Sequence, residues 1–137
     1  MTEQVLRTIY TSAADQDLVE QDLVSILEVS RHNNARRGIT GALAFHDHQF
    51  IQILEGPPGL VEELLGTINA DSRHGDLMVL DRSPVDERIF PEWSMGWLRS
   101  SDLAQAGFDP LILQLKDTPS AKVNIMLKVF REVVSLN

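Results

Sequence analysis

The chain has 137 residues, no cysteine, and 12 Lys plus Arg against 20 Asp plus Glu, for a formal net charge of −8. That length suits one domain without disulfides, and the missing cysteine excludes thiol catalysis, Cys-ligated zinc and iron–sulfur clusters. The acidic balance disfavours nucleic acid and anionic membrane surfaces, and 43% hydrophobic residues exclude a disordered chain.

The N-terminal stretch MTEQVLRTIY has no basic region leading into an apolar one, so no signal peptide is expected. No apolar run approaches the roughly 20 residues needed to span a bilayer. The expected location is the cytoplasm. Residues 5–11 are short and rich in β-branched side chains and read as a strand. Residues 15–34 carry a helical pattern, with Leu23, Ile26, Leu27 and Ser30 on one face and Asn33-Asn34 as its end. Residues 39–46 and 49–54 form two strands of a hairpin, with Asp47-His48 as the turn. Glu55-Gly56-Pro57-Pro58 stops the second of these and opens a helix with the apolar stripe Leu60, Val61, Leu64, Leu65 and Ile68. A polar loop over 71–76 leads to a strand at 77–80. A charged, proline-bearing loop at 82–92 then leads to a last strand at 93–98.

The order β-α-β-β-α-β-β predicts an α+β fold, a ferredoxin-like mixed sheet with an added strand and two helices on one face. Strand parity sets Phe50, Gln52 and Leu54 against Ile51 and Ile53, so both faces carry apolar residues. The opposite face needs its own cover. Thr118-Pro119 starts a helix over 119–135 in which Val123, Met126, Leu127, Phe130 and Val134 recur at helical spacing. This helix packs on the back of the sheet or on a second subunit. The division expected is a domain over 1–100 and a helical extension over 101–137.

The chemistry-bearing residues are sparse. His46 and His48 flank a turn with no third ligand at convincing spacing, so no metal site is expected. No G-x-S-x-G elbow is present, and Gly38-Ile39-Thr40-Gly41 leads into a strand, not the helix that a phosphate loop needs. Polar residues in apolar settings say more. Tyr10 and Gln52 occupy inward-eligible positions on the first and third strands, and meet if those strands are neighbours. One reading is a structural pair, with Asn33 and Asn34 capping the helix. The other is a pocket for a planar heterocycle whose imide edge is read by carboxamides.

Five motifs in order carry a resemblance: Ile9-Tyr10; Ser30-Arg31-His32-Asn33-Asn34 with Gly38-Ile39-Thr40-Gly41; Phe50-Ile51-Gln52-Ile53-Leu54-Glu55-Gly56; Asp71-Ser72-Arg73-His74; and Phe90-Pro91-Glu92-Trp93-Ser94-Met95. From about Leu6 to Trp97 the chain resembles the BLUF family of blue-light sensors, in its short stand-alone form. The resemblance implies a non-covalent flavin, FAD with FMN or riboflavin as alternatives, between the two helices. Tyr10 would be the electron and proton donor and Gln52 the relay. Asn34 would bind the imide edge, Asn33 and Ser30 would line that end, and Ile26 would pack on the ring. Arg73 and His74 would lie at the other polar end or along the flavin side chain. Trp93 and Met95 would be an alternating pair on the last strand, one inside and one outside. It further implies a photoreceptor that is not a turnover enzyme, self-associates and signals to a protein partner. The competing expectations are a flavin-dependent reductase, for which no dinucleotide fingerprint exists, and an interaction module without photochemistry.

Overall fold

The computed structural model describes residues 4–46, 48–71, 74–105, 107 and 119–136. Five strands form one sheet: β1 (Val5–Ala14), β2 (Thr40–His46), β3 (Gln49–Gly56), β4 (His74–Val85) and β5 (Gly96–Leu98). Their spatial order is β4-β1-β3-β2-β5. All neighbours are antiparallel except β2 and β5, which run parallel. Among the described residues the helices are α1 (Glu20–Arg37), α2 (Pro58–Asn69), α3 (Ser100–Gln105) and α4 (Pro119–Leu136). The fold is the ferredoxin-like α+β arrangement with a mixed sheet.

Strand alternation divides the core in two. Leu6, Tyr10, Leu43, Phe50 and Leu54 pack with Leu23 and Leu27 of α1 and Val61 of α2. Ile9, Ala42, Ala44, Ile51 and Ile53 face the other way and pack under Val123, Met126, Val129, Phe130 and Val133 of α4. The C-terminal helix therefore covers the back of its own sheet. Each buried Val, Leu, Ile, Phe or Met side chain among them contributes about 1.5–3 kcal/mol relative to exposure.

Several boundaries differ from the sequence reading. The first helix starts at Glu20, not at 15, because the Asp15 carboxylate accepts the Asp17 N–H at 3.2 Å and its carbonyl accepts from Leu18 at 3.0 Å. That turn stops the chain from entering the helix early. At the other end, Asn33 and Asn34 do not terminate α1. It runs to Arg37, and Gly38 at φ 69° takes the left-handed cap. β4 is twelve residues long instead of four, because it pairs with β1 from Val5↔Val85 to Ala14↔His74 across two bulges. As an edge strand it tolerates Pro84 and its charged residues. β5 is only Gly96–Leu98, so Trp93 and Met95 precede the strand. Asp47 of the expected turn and Thr118 of the expected cap lie outside the described residues.

On the α4 face, Glu55 is 0% exposed. It accepts from Arg7 Nε at 3.0 Å, from Ile89 N at 2.8 Å and from Phe90 N at 2.9 Å. One carboxylate thus fastens β3 to β1 and to the segment entering β5. Removing one partner of a buried ion pair strands the other charge. Glu55→Ala should therefore destabilise the fold by about 3–5 kcal/mol. Urea denaturation measures this, and a loss below about 1 kcal/mol would be the behaviour of an exposed pair instead.

Candidate functional site

Tyr10 of β1 and Gln52 of β3 are directly opposed in the antiparallel register. Cross-strand partners on one face stand within side-chain reach, and the Tyr10 hydroxyl donates to Gln52 Oε1. The other end of the same carboxamide, Nε2, points to Met95 Sδ at 3.4 Å. Leu43 lies opposite Gln52 on β2, so Tyr10, Gln52 and Leu43 form a row across three strands. All three are buried.

Above this row, between α1 and α2, is a cavity of about 200 Å³. Tyr10, Gln52, Leu43 and Phe50 line it from the sheet, Ile26, Val29, Ser30, Asn33 and Asn34 from α1, and Leu64, Thr67 and Ile68 from α2, with Asp71 just beyond. Val29, Asn33 and Thr67 are exposed and mark its mouth. Its walls are apolar, and its polar groups are few and directed, as a site for a planar cofactor requires. Among the described residues no group of three or more His, Asp or Glu is placed to hold a metal.

Asn34 is 1% exposed and donates its Nδ2 to the Ser94 carbonyl at 2.9 Å. That bond fixes which way the amide points and leaves Oδ1 as an acceptor. Three residues earlier on the helix, Arg31 Nε donates to the Met95 carbonyl at 2.8 Å. Two consecutive carbonyls of the segment before β5 are therefore held from α1. Burial, and secondarily the Asp71 carboxylate, push the Tyr10 phenol well above the usual tyrosine range. The hydroxyl stays protonated and remains a donor to Gln52.

The structure brings together Tyr10, Ile26, Ser30, Asn33, Asn34, Gln52 and Met95. Trp93 is elsewhere. It packs with Phe90 at 5.1 Å between ring centroids, against the α4-side core. Residues two apart on a strand would share a face, but the chain turns before Gly96, and the Trp93 ring lies where a Cβ on Gly96 would be. That turn separates Met95 from Trp93. Arg73 lies outside the described residues, and His74 is the first residue of β4, opposite Ala14. Leu64, Thr67, Ile68 and Asp71 were not singled out as site residues from the sequence. The stripe on α2 marks a buried face without showing that part of it borders a cavity.

A ferredoxin-like sheet that buries a Tyr–Gln pair beneath a two-helix slot offers a candidate site for a planar cofactor. The family model described as BLUF, sensors of blue-light using FAD, matches residues 5–96, and the chain belongs to that family. A photoactivated adenylate cyclase subunit beta of Euglena gracilis is 34% identical over 103 residues, which are 74% of this chain but 12% of that protein. The dark-state structure of the BLUF protein BlrB superposes with a TM-score of 0.84 at 28% identity, covering 100% of both chains. The photo-activated state of BlsA gives 0.78 at 27% identity, covering 95% of this chain and 94% of that one. Among the described residues no helix is long and apolar enough to cross a membrane.

Proposed function

We propose that this chain is a blue-light receptor that binds a flavin, FAD in the first instance, in the slot between α1 and α2. The observation that carries this reading is the single carboxamide of Gln52 joined to Tyr10 at one end and to Met95 at the other. A bound flavin would supply the absorption of blue light and an acceptor for an electron and a proton. Asn34 would present Oδ1 to the N–H of its imide edge, and Ile26, Leu43 and Ile68 would pack on the ring. Arg73 and His74 would serve the distal polar end. Tyr10 would lend an electron and its hydroxyl proton to the excited flavin and recover both on return. Gln52, accepting at Oε1 and donating from Nε2, would relay the proton and finish with its donor and acceptor ends exchanged.

After the exchange Nε2 would carry one proton in place of two and could accept, so the contact that holds Met95 would be altered. Met95 precedes β5 in sequence, and Trp93 beside it touches the α4-side core. A change at the sheet's front thus has a route to its back, and from there to a protein partner or a second copy. Release of the chromophore from purified protein by denaturation, followed by chromatography, identifies the flavin. Steady NADH oxidation by the flavin-loaded protein would instead favour a reductase.

Arg31 follows as a positioning residue. Arg31→Ala removes the bond to the Met95 carbonyl and should leave flavin content unchanged while accelerating dark recovery by about tenfold, a barrier change near 1.4 kcal/mol. Arg31→Lys should restore part of the effect. Decay of the light-minus-dark difference signal measures both, and unchanged decay in Arg31→Ala would remove Arg31 from the switch.

A further inference from the structure

On the sheet face covered by α4 lies a second cavity, of about 230 Å³. Three arginines from three parts of the fold border it: Arg7 of β1, Arg88 of the segment between β4 and β5, and Arg131 of α4. Ile89 and Val134 supply apolar wall, and Glu87 completes the lining.

The Arg7 side chain is 9% exposed. Its Nε is held by Glu55 at 3.0 Å and its Nη2 by the Glu87 carbonyl at 3.1 Å. Its Nη1 has no hydrogen-bond partner among the described residues, and it is not sealed within protein. A guanidinium held in place on two sides, with its third nitrogen open to solvent, offers a fixed donor to a ligand's oxygen. Arg88 is anchored through Nη1 by the Gly38 carbonyl at 2.8 Å and the Thr40 hydroxyl at 3.0 Å. Arg131 is exposed and makes no hydrogen bond or ion pair among the described residues.

This convergence occurs in a chain of net charge −8. Set against these three guanidinium groups, Glu55 is bonded to Arg7 and Glu87 is the one acidic residue of the lining. Planar guanidinium groups on three elements suit an anion with several oxygens, accepting in more than one direction, better than a single carboxylate. We infer that this cavity is an oxyanion site that takes the phosphate or pyrophosphate group of a small soluble ligand. The site is independent of the flavin slot, which lies on the other face of the sheet. A ligand there would bridge β1, the segment entering β5 and α4, and would fasten the C-terminal helix to its sheet.

The test is calorimetric titration of the flavin-loaded protein with sodium pyrophosphate at constant ionic strength. Arg131→Gln is the principal variant, because an exposed side chain can change without disturbing the fold. Arg36→Gln, an exposed arginine on α1, makes the same charge change elsewhere. The expected result is saturable binding in the submillimolar range, weakened about tenfold or more by Arg131→Gln and unaffected by Arg36→Gln. Three results would overturn the inference: no saturable heat up to millimolar pyrophosphate, equal weakening by both variants, or flotation with phosphatidylglycerol vesicles without affinity for pyrophosphate.

Discussion

Tyr10→Phe is expected to keep its flavin and lose its photocycle. The phenol is the only tyrosine in the chain, it lines the cavity, and its hydroxyl is bonded to Gln52. Phenylalanine fills the same space but has neither an accessible electron nor a proton to give. It also leaves Gln52 Oε1 without its partner, which should cost about 1–3 kcal/mol of stability. The two losses are separable: thermal unfolding reports the second, and the light-minus-dark spectrum the first. A normal red shift in Tyr10→Phe would transfer the donor role to another residue. The wild-type response should also be flat across neutral pH, because burial holds the Tyr10 phenol protonated there. With its folded-state value raised, stability from this group is complete below the ordinary tyrosine value of about 10 and falls as pH rises beyond it.

Gln52→Leu should likewise retain flavin and show no light-induced red shift. Leucine approximates the volume of the carboxamide stem, so the slot persists. What disappears is the one group that can exchange donor for acceptor between fixed neighbours. Tyr10 then has no acceptor and Met95 no donor, at a cost in stability again of about 1–3 kcal/mol. Without the relay no shifted state should accumulate, whether or not Tyr10 still quenches the flavin. A shifted state of normal yield would mean that the hydrogen-bond exchange does not pass through Gln52.

The parts of this site that were legible in the sequence are those where strand parity and residue chemistry coincide. Tyr10 and Gln52 share a face because both strands alternate with period two and lie side by side. Asn34 was legible as a carboxamide near the end of a helix. Its reason for being there was not, because the bond to the Ser94 carbonyl spans 60 residues. Read locally, Asn34 is a cap; in the fold, Gly38 does the capping and the Asn34 side chain is released for the cavity. The length of β4 is hidden in the sequence for a similar reason. Its charges and Pro84 resemble a loop, and only pairing with β1 makes them strand. The placement of Met95 and Trp93 on opposite faces depends on a turn before Gly96 that strand alternation cannot forecast. The α2 wall offers one polar side chain, Thr67, which by itself marks no site.

A flavin over the Tyr10–Gln52 pair should report the state of that hydrogen bond in an absorption spectrum of the purified protein recorded in the dark, immediately after blue light and again after a dark interval. The flavin bands should move slightly to longer wavelength and return in the dark. Bands that bleach without shifting, or a protein that takes up no flavin even when FAD is added, would contradict this reading.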